Sequence, residues 1–225
     1  MLEHVATRSP HSVPAAGTAR TTLPTAIILA VGTLSVAVER GCALGFLPCS
    51  IGLDHPYVSP GILLGYLLIP GGTLALFGQN PLAYFGLGDW RSVAWLWIWF
   101  LVATVGISLW VAERPSFQVQ YGLHASWTGT SLASTLLALT CGEFFYRGFL
   151  LLTVSPRWRW YAATAATIPY CLIHIGKPTV ELLGSVPFAL ALSYLAIRSD
   201  SIVYGLVVHT VLAVLVPVLI QLSAT

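Results

Sequence analysis

Most of the chain is divided into apolar segments about as long as a lipid bilayer is thick. About twenty apolar residues in a helix cross the hydrocarbon core, and inside lipid only helices and closed barrels satisfy every backbone polar group. Seven such segments are delimited by turn residues: 25–49, 58–78, 92–112, 130–154, 158–176, 180–197 and 201–222. We predict an all-α fold, a polytopic transmembrane helix bundle of about seven spans. Because Glu39 and Arg40 interrupt the first segment, six to eight spans fit the pattern.

The composition indicates the surroundings of the chain. Its mean hydropathy is +0.82, and 8% of its residues are charged, whereas soluble proteins have about 25%. The net charge of +2 is small and the basic residues are scattered, so a nucleic-acid-binding surface is excluded. We therefore expect a lipid bilayer as the surroundings and no nucleic acid as a partner.

The connections are too short for a soluble domain, so one membrane unit is predicted in three parts. Residues 1–24, rich in Ser, Thr, Ala and Pro, are expected to form a polar, disordered tail. Residues 25–129 contain the amino-terminal transmembrane helices. Residues 130–222 contain a core with several intramembrane polar side chains. Four cysteines are interpreted as small buried thiols: Cys42, Cys49, Cys141 and Cys171.

Basic residues outside the spans are distributed unevenly between the two sides of the predicted bundle. The tail and alternate connections contain most of them: Arg8, Arg20, Arg91, Arg157, Arg159 and Arg198. The opposite side contains Arg114 and Lys177. The positive-inside rule then places the amino terminus in the cytoplasm. The short connections favour a bacterial cytoplasmic (inner) membrane, and an internal eukaryotic membrane stays open as an alternative.

A pair of charged residues, Glu143 and Arg147, lies near the middle of the fourth predicted span. A charged side chain at the centre of a spanning helix costs about 2.5–3.5 kcal/mol, so two of them need a compensating reason. Residues four apart share a helix face and can form an ion pair, which removes much of that cost. Such a pair serves either helix packing or a reaction.

Two histidines of later spans lie at a depth similar to that of the charged pair. With a rise of about 1.5 Å per helical residue, Glu143, His174 and His209 lie roughly 16, 21 and 12 Å from the Arg157 side. These groups together with Arg147 predict a shared polar cavity that holds water. A Glu and a His can activate such a water, while a second His or an Arg stabilises the oxyanion of an attacked carbonyl.

Three motifs in this order resemble those of a known family. They are GEFFYRGFL at 142–150, Tyr170-x-x-x-His174 in IPYCLIHIGKP, and His209 in the last apolar helix. Together they resemble the CPBP family, the CAAX-type prenyl endopeptidases and bacteriocin-processing enzymes, also called Abi. The resemblance covers roughly residues 130–215. It implies an intramembrane endopeptidase, metalloprotease-like, whose site faces the cytoplasm and whose substrate is a peptide or protein at the membrane.

The family motifs are EExxxR, FxxxH and HxxxN or a close variant. Matched by position, they fall on five residues of this chain: Glu143, Arg147, Tyr170, His174 and His209. The resemblance implies that Glu143 is the catalytic base and that Arg147 fixes it. It also implies that His174 holds the water and that His209 stabilises the oxyanion.

Two positions depart from the family pattern. Gly142 replaces the first Glu, and Ala213 replaces the Asn of the third motif. Adjacent helical residues point about 100° apart, so Glu143 replaces the missing carboxylate only if the helix is distorted near Gly142. Glu181, just after the Gly176-Lys177-Pro178 turn, is the alternative carboxylate.

A metal ion stays open as a cofactor. Glu143, His174 and His209 are possible zinc ligands, since three protein ligands and a water are the usual catalytic arrangement. A Glu and His pair can also activate water without an ion, so zinc is not required.

Two other classes of function stay open. A catalytically impaired relative that binds or escorts a membrane-anchored partner would explain Gly142 and Ala213. A small transporter or proton relay would also place ionisable residues inside the membrane. The polar groups, however, are concentrated in the last four spans and no internal repeat is evident, which disfavours an inverted-repeat transporter.

Overall fold

The computed structural model describes residues 22–47, 60–122 and 129–223, and these residues form helices joined by short connections. Its helices are α1 (Thr25–Ala43), α2 (Pro60–Leu76), α3 (Ala94–Ala112), α4 (Pro115–Gly122), α5 (Gly129–Glu143, continued by a π-helix over Phe144–Leu152), α6 (Arg159–Leu172), α7 (Thr179–Ser199) and α8 (Val203–Ser223). Over these three ranges there is no β-strand.

The predicted all-α bundle is confirmed. Each of the seven predicted spans coincides with one long helix, and α4 is an additional short helix between two of them. Five helices, α1, α3, α5, α7 and α8, are long and apolar enough to cross a bilayer. Helix α1 continues through Glu39 and Arg40, so these residues do not divide the first span. The predicted tail falls largely on residues 1–21, which lie outside the described residues.

One end of the bundle is closed by hydrogen bonds between connections. The Leu23 amide donates to the Thr153 carbonyl at 3.2 Å, and the Asp89 amide donates to the Ser199 carbonyl at 2.8 Å. This end consists of residues 22–24, 77–93, 153–159 and 198–203. We call it the basic end because it contains Arg91, Arg157, Arg159 and Arg198.

The opposite end consists of residues 111–122, 173–181 and 212–223, and we call it the open end. Helix α4 lies here, where Phe117 packs with Val111 of α3 and with Val216 and Ile220 of α8. The Tyr121 hydroxyl donates to a carboxylate oxygen of Glu181 at 2.5 Å. Helix α4 therefore connects the ends of α3, α7 and α8.

Helices α1 and α2 approach each other closely at two glycines. A Cβ added at Gly65 would lie 2.6 Å from the Ser35 carbonyl oxygen, and one added at Gly61 would lie 2.7 Å from Cys42 Cβ. The Gly61-x-x-x-Gly65 spacing is thus a helix-packing motif. Cys42, which the sequence indicated as a buried thiol, is instead disulfide-bonded, whereas Cys141 and Cys171 are free.

A buried polar layer joins α1 and α2 to α5. The Glu39 side chain is 3% exposed and pairs with Arg40. The Tyr66 hydroxyl donates to Glu39 at 3.3 Å and lies 3.1 Å from the Tyr146 hydroxyl. The Tyr66 ring also stacks on Phe145, with ring centroids 4.5 Å apart. This layer ties the first two helices to the helix that contains Glu143 and Arg147.

We predict that Gly65→Leu lowers stability, because the new side chain must push α2 away from the α1 backbone. Overpacking of this kind costs about 1–3 kcal/mol. Thermal unfolding of the detergent-purified protein measures the effect. The matched control is Gly72→Leu on the same helix, where an added Cβ meets no atom within 4 Å. Equal melting temperatures of the two variants would contradict the close approach.

Candidate active site

The structure places Glu143 and Arg147 in a buried ion pair. Arg147 Nη1 lies 3.2 Å from Glu143 Oε1, and the two side chains are 2% and 1% exposed. Arg147 Nη2 donates to the Ala189 carbonyl at 3.4 Å. The guanidinium carbon lies 4.6 Å from the centroid of the Tyr170 ring, which is a cation–π contact. The guanidinium thus contacts α5, α6 and α7 at one point.

His209 of α8 joins this pair through a short hydrogen bond. Its Nδ1 lies 2.7 Å from Glu143 Oε1. Because an ionised carboxylate only accepts hydrogen bonds, Nδ1 carries the hydrogen and donates it. Gly205, one turn earlier on α8, lies beside the same carboxylate, since a Cβ added there would be at an ordinary van der Waals distance of 3.5 Å from Glu143 Oε2. Glu143 therefore fixes the tautomer and the orientation of the His209 ring.

Helix α5 changes from α to π immediately after Glu143. Such π segments are rare and occur often at functional sites. Because Glu143 still belongs to the α-helical part, its Cα–Cβ direction differs from that of position 142 by about 100°, as in an ordinary α-helix. The distortion comes after Glu143 and reorients the residues that follow. Glu143 accordingly points at His209 and does not line the cavity described next.

A cavity of about 600 Å³ lies between α3, α4, α5, α6, α7 and α8, toward the open end. Ligand sites typically have volumes of about 300–1,000 Å³, mostly apolar walls and a few polar groups. The polar residues of its wall are Thr104, Tyr121, Thr135, Tyr170, His174, Lys177, Glu181, Ser185 and His209. Both histidines that the sequence indicated therefore line one cavity.

His174 lies just past the end of α6, in the connection to α7. Its Nδ1 lies 2.9 Å from the Tyr170 carbonyl oxygen, so Nδ1 carries the hydrogen and Nε2 of the neutral ring is an acceptor. The neutral ring can therefore accept a hydrogen bond from the cavity through Nε2.

Glu181, the third residue of α7, is the carboxylate next to His174. Its Oε1 lies 3.8 Å from His174 Nε2 and 2.8 Å from Lys177 Nζ, and its Oε2 accepts the Tyr121 hydroxyl. The amino-terminal turn of a helix also favours a negative charge. The sequence indicated Glu181 as an alternative carboxylate, but it contains no signal for Tyr121, which is 60 residues away.

The ring of Tyr170 lies between two polar groups. Its centroid is 4.9 Å from that of His174 and 6.1 Å from that of His209. The inner group consists of Glu143, Arg147 and His209. The outer group consists of Tyr121, His174, Lys177 and Glu181. The structure thus brings Glu143, Arg147 and His209 together and places His174 with a different carboxylate.

The two positions at which this chain differs from the family motifs, Gly142 and Ala213, lie on helix faces that point toward the cavity. Ala213 lines the cavity. Gly142 follows the lining residues Thr135, Ala138 and Leu139 by seven, four and three positions, so it shares their face of α5. A Cβ added at Gly142 would meet no atom within 4 Å. The position of the missing carboxylate is therefore open space.

The residues considered as zinc ligands do not form one set. Within the three described ranges, no group of three His, Cys, Asp or Glu side chains is arranged to hold a metal ion. Oε1 of Glu143 is shared between Arg147 and His209, while His174 lies with Glu181 in the outer group. The described residues therefore do not fit a zinc site.

Comparison with known proteins identifies the family. A family model described as type II CAAX prenyl endopeptidase, Rce1-like, matches residues 94–215, which is more than half of the chain. The match contains both polar groups and extends the resemblance from residue 130 back to the start of α3. No curated protein and no solved structure matches significantly. The chain therefore belongs to the Rce1-like type II CAAX prenyl endopeptidases, which are part of the CPBP family.

Proposed function

We propose that the protein is an intramembrane endopeptidase that hydrolyses a peptide bond of a membrane-associated substrate by means of an activated water. One observation carries this proposal. A cavity of about 600 Å³ inside the helix bundle is lined by His174 and His209, and each imidazole lies next to a carboxylate. Imidazole and carboxylate groups so arranged are the usual acids and bases of hydrolysis. Family membership supports the same class of reaction.

His174 is proposed to bind the water. Its Nδ1–H is held by the Tyr170 carbonyl, so the Nε2 lone pair accepts a hydrogen from water. A water bound in this way directs an oxygen lone pair away from the imidazole and toward a carbonyl carbon in the cavity. The hydrogen bond to the Tyr170 carbonyl of α6 fixes the ring, so the water has a defined position.

His209 is proposed to stabilise the oxyanion that forms on the attacked carbonyl. The Glu143 carboxylate, 2.7 Å away, accepts Nδ1–H of the His209 ring. When Nε2 is also protonated, its N–H can donate to the developing oxyanion. Arg147 balances the charge of Glu143 within the membrane. Glu143 and Arg147 are thus positioning residues. We prefer this role for Glu143 over that of the base, because its carboxylate is enclosed by Arg147 and His209.

A carboxyl-terminal C-a-a-X segment is the proposed substrate class. In this motif the cysteine is the site of prenylation and two aliphatic residues follow it. The cavity wall is largely apolar and includes Phe100, Ile107 and Leu139, which suits aliphatic side chains. The name of the family model indicates the same class.

We predict that Glu143→Gln lowers the cleavage rate by about 100-fold or more, because an amide neither balances Arg147 nor orients an imidazolium. The measurement is the initial rate for purified protein in lipid nanodiscs with a quenched fluorescent peptide ending in C-a-a-X. The peptide is used with and without a farnesyl group on its cysteine. Thermal unfolding shows whether the variant is folded.

The matched control is Glu113→Gln, which removes an exposed carboxylate at the open end and should cleave at the wild-type rate. Undiminished cleavage by folded Glu143→Gln would remove Glu143 from the mechanism. A wild-type protein that binds the peptides but cuts neither form would overturn the proposed function.

The arrangement of the two ends has a consequence for localisation. Leu23, at the start of α1, lies at the basic end, whereas the cavity lies toward the open end. The start of α1 and the cavity therefore lie toward opposite ends of the bundle. We propose that the basic end is cytoplasmic, since its Arg residues outnumber the basic residues of the open end. The disulfide of Cys42, near the other end of α1, fits an oxidising compartment there.

We predict that a membrane-impermeant maleimide labels Arg114→Cys but not Arg157→Cys in intact cells, because these exposed positions lie at the open and basic ends. Both variants should be labelled after the membrane is permeabilised, which is the control for reactivity. The measurement is the amount of label on the purified variants. The reverse pattern would place the cavity mouth in the cytoplasm.

A further inference from the structure

Glu181 lines the cavity beside His174, and the reaction proposed above assigns it no role. Its side chain is 17% exposed, whereas that of Glu143 is 1% exposed. Of the two carboxylates that contact a site imidazole, Glu181 is therefore the one that a substrate or a water in the cavity can reach. We infer that Glu181 is the general base of the cleavage reaction, an inference that rests on the proposed function.

Two hydrogen-bond acceptors converge at this point of the wall. His174 Nε2 and Glu181 Oε1 are 3.8 Å apart, and the Nδ1–H bond to the Tyr170 carbonyl leaves Nε2 without a hydrogen in the neutral ring. A water about 2.8 Å from each atom can donate one hydrogen to each. The two acceptors therefore hold one water in the orientation that nucleophilic attack requires.

The contacts of Glu181 hold its carboxylate in place. Lys177 Nζ binds Oε1 at 2.8 Å, and the Tyr121 hydroxyl binds Oε2 at 2.5 Å. Each carboxylate oxygen accepts about two hydrogen bonds, so Oε1 keeps capacity for a water. The two anchors of this carboxylate come from α4 and from the connection before α7, so the side chain is held from two elements.

The reaction then balances without a further reactant. The water oxygen forms a bond to the carbonyl carbon, its proton passes to Glu181, and the carbonyl π pair becomes the oxyanion next to His209. The carbon–nitrogen bond breaks next and its electron pair stays on the nitrogen, which takes the proton from Glu181. One water is consumed, a carboxylic acid and an amine are formed, and nothing is oxidised or reduced.

The test compares Glu181→Gln with Lys177→Gln in full-length protein, using the farnesylated and unmodified C-a-a-X peptides. Each variant breaks the Lys177–Glu181 ion pair, but only Glu181→Gln removes the base. General-base catalysis contributes about 10²–10⁴-fold. We therefore expect Glu181→Gln to lose at least 100-fold in kcat with KM within about threefold of the wild type. Lys177→Gln keeps the base and loses one of its anchors, so its kcat should fall by about tenfold or less.

Equal losses of kcat in the two variants would show that the broken ion pair, and not the loss of a general base, slows the reaction. That result would overturn the inference. Wild-type kcat in Glu181→Gln would also overturn it while the proposed function stands. A wild-type protein that cuts neither peptide would remove the function and the inference together. If Glu181→Gln does not fold, Glu181→Asp keeps the carboxylate on a shorter arm. Its kcat should then fall about tenfold or more, and unchanged kcat would contradict the inference.

Discussion

The structure depends on one buried carboxylate and the two cationic or hydrogen-bonding partners that surround it. Glu143 lies between Arg147 and His209 with almost no exposure to the surroundings. An unpaired charge in such a place costs several kcal/mol, and removal of one partner of a buried pair typically destabilises by about 3–5 kcal/mol. The helices that contribute these groups, α5 and α8, are therefore held at one depth and one rotation. The position of the His209 ring at the cavity wall follows from that constraint.

The two carboxylates of the site differ in accessibility, and this difference divides their roles. Glu143 is enclosed and acts on His209, whereas Glu181 reaches the space that a substrate would occupy. The ring of Tyr170 contacts both histidines and the Arg147 guanidinium. Each imidazole is thus oriented by its own acceptor, His174 by a backbone carbonyl and His209 by a carboxylate. In the proposed mechanism Glu181 takes the place of the carboxylate that Gly142 lacks.

Much of the fold could be predicted because every backbone polar group inside lipid must be hydrogen-bonded within the protein. Each apolar segment accordingly contains a helix. The contact of Glu143 with Arg147 could be anticipated from their spacing alone, since both lie on one helix. The partner of each imidazole could not be predicted, because it depends on the rotation of each helix about its axis, which contacts between distant residues decide. The contact of Tyr121 with Glu181 could not be predicted for a similar reason. Tyr121 lies on a short helix whose position depends on contacts with distant residues rather than on local periodicity.

Tyr66 of α2 forms hydrogen bonds with Glu39 of α1 and with Tyr146 of α5. Helices α1 and α2 lie outside the segment that the family model matches, whereas α5, which contains Glu143, lies inside it. A shortened chain that began at Ala94 would expose the Tyr146 hydroxyl and the Phe145 ring to lipid. An unsatisfied hydroxyl in hydrocarbon is costly, and the ring would lose its stacking partner. The amino-terminal helices of this protein therefore cover polar and aromatic groups that the family segment alone would leave in contact with lipid.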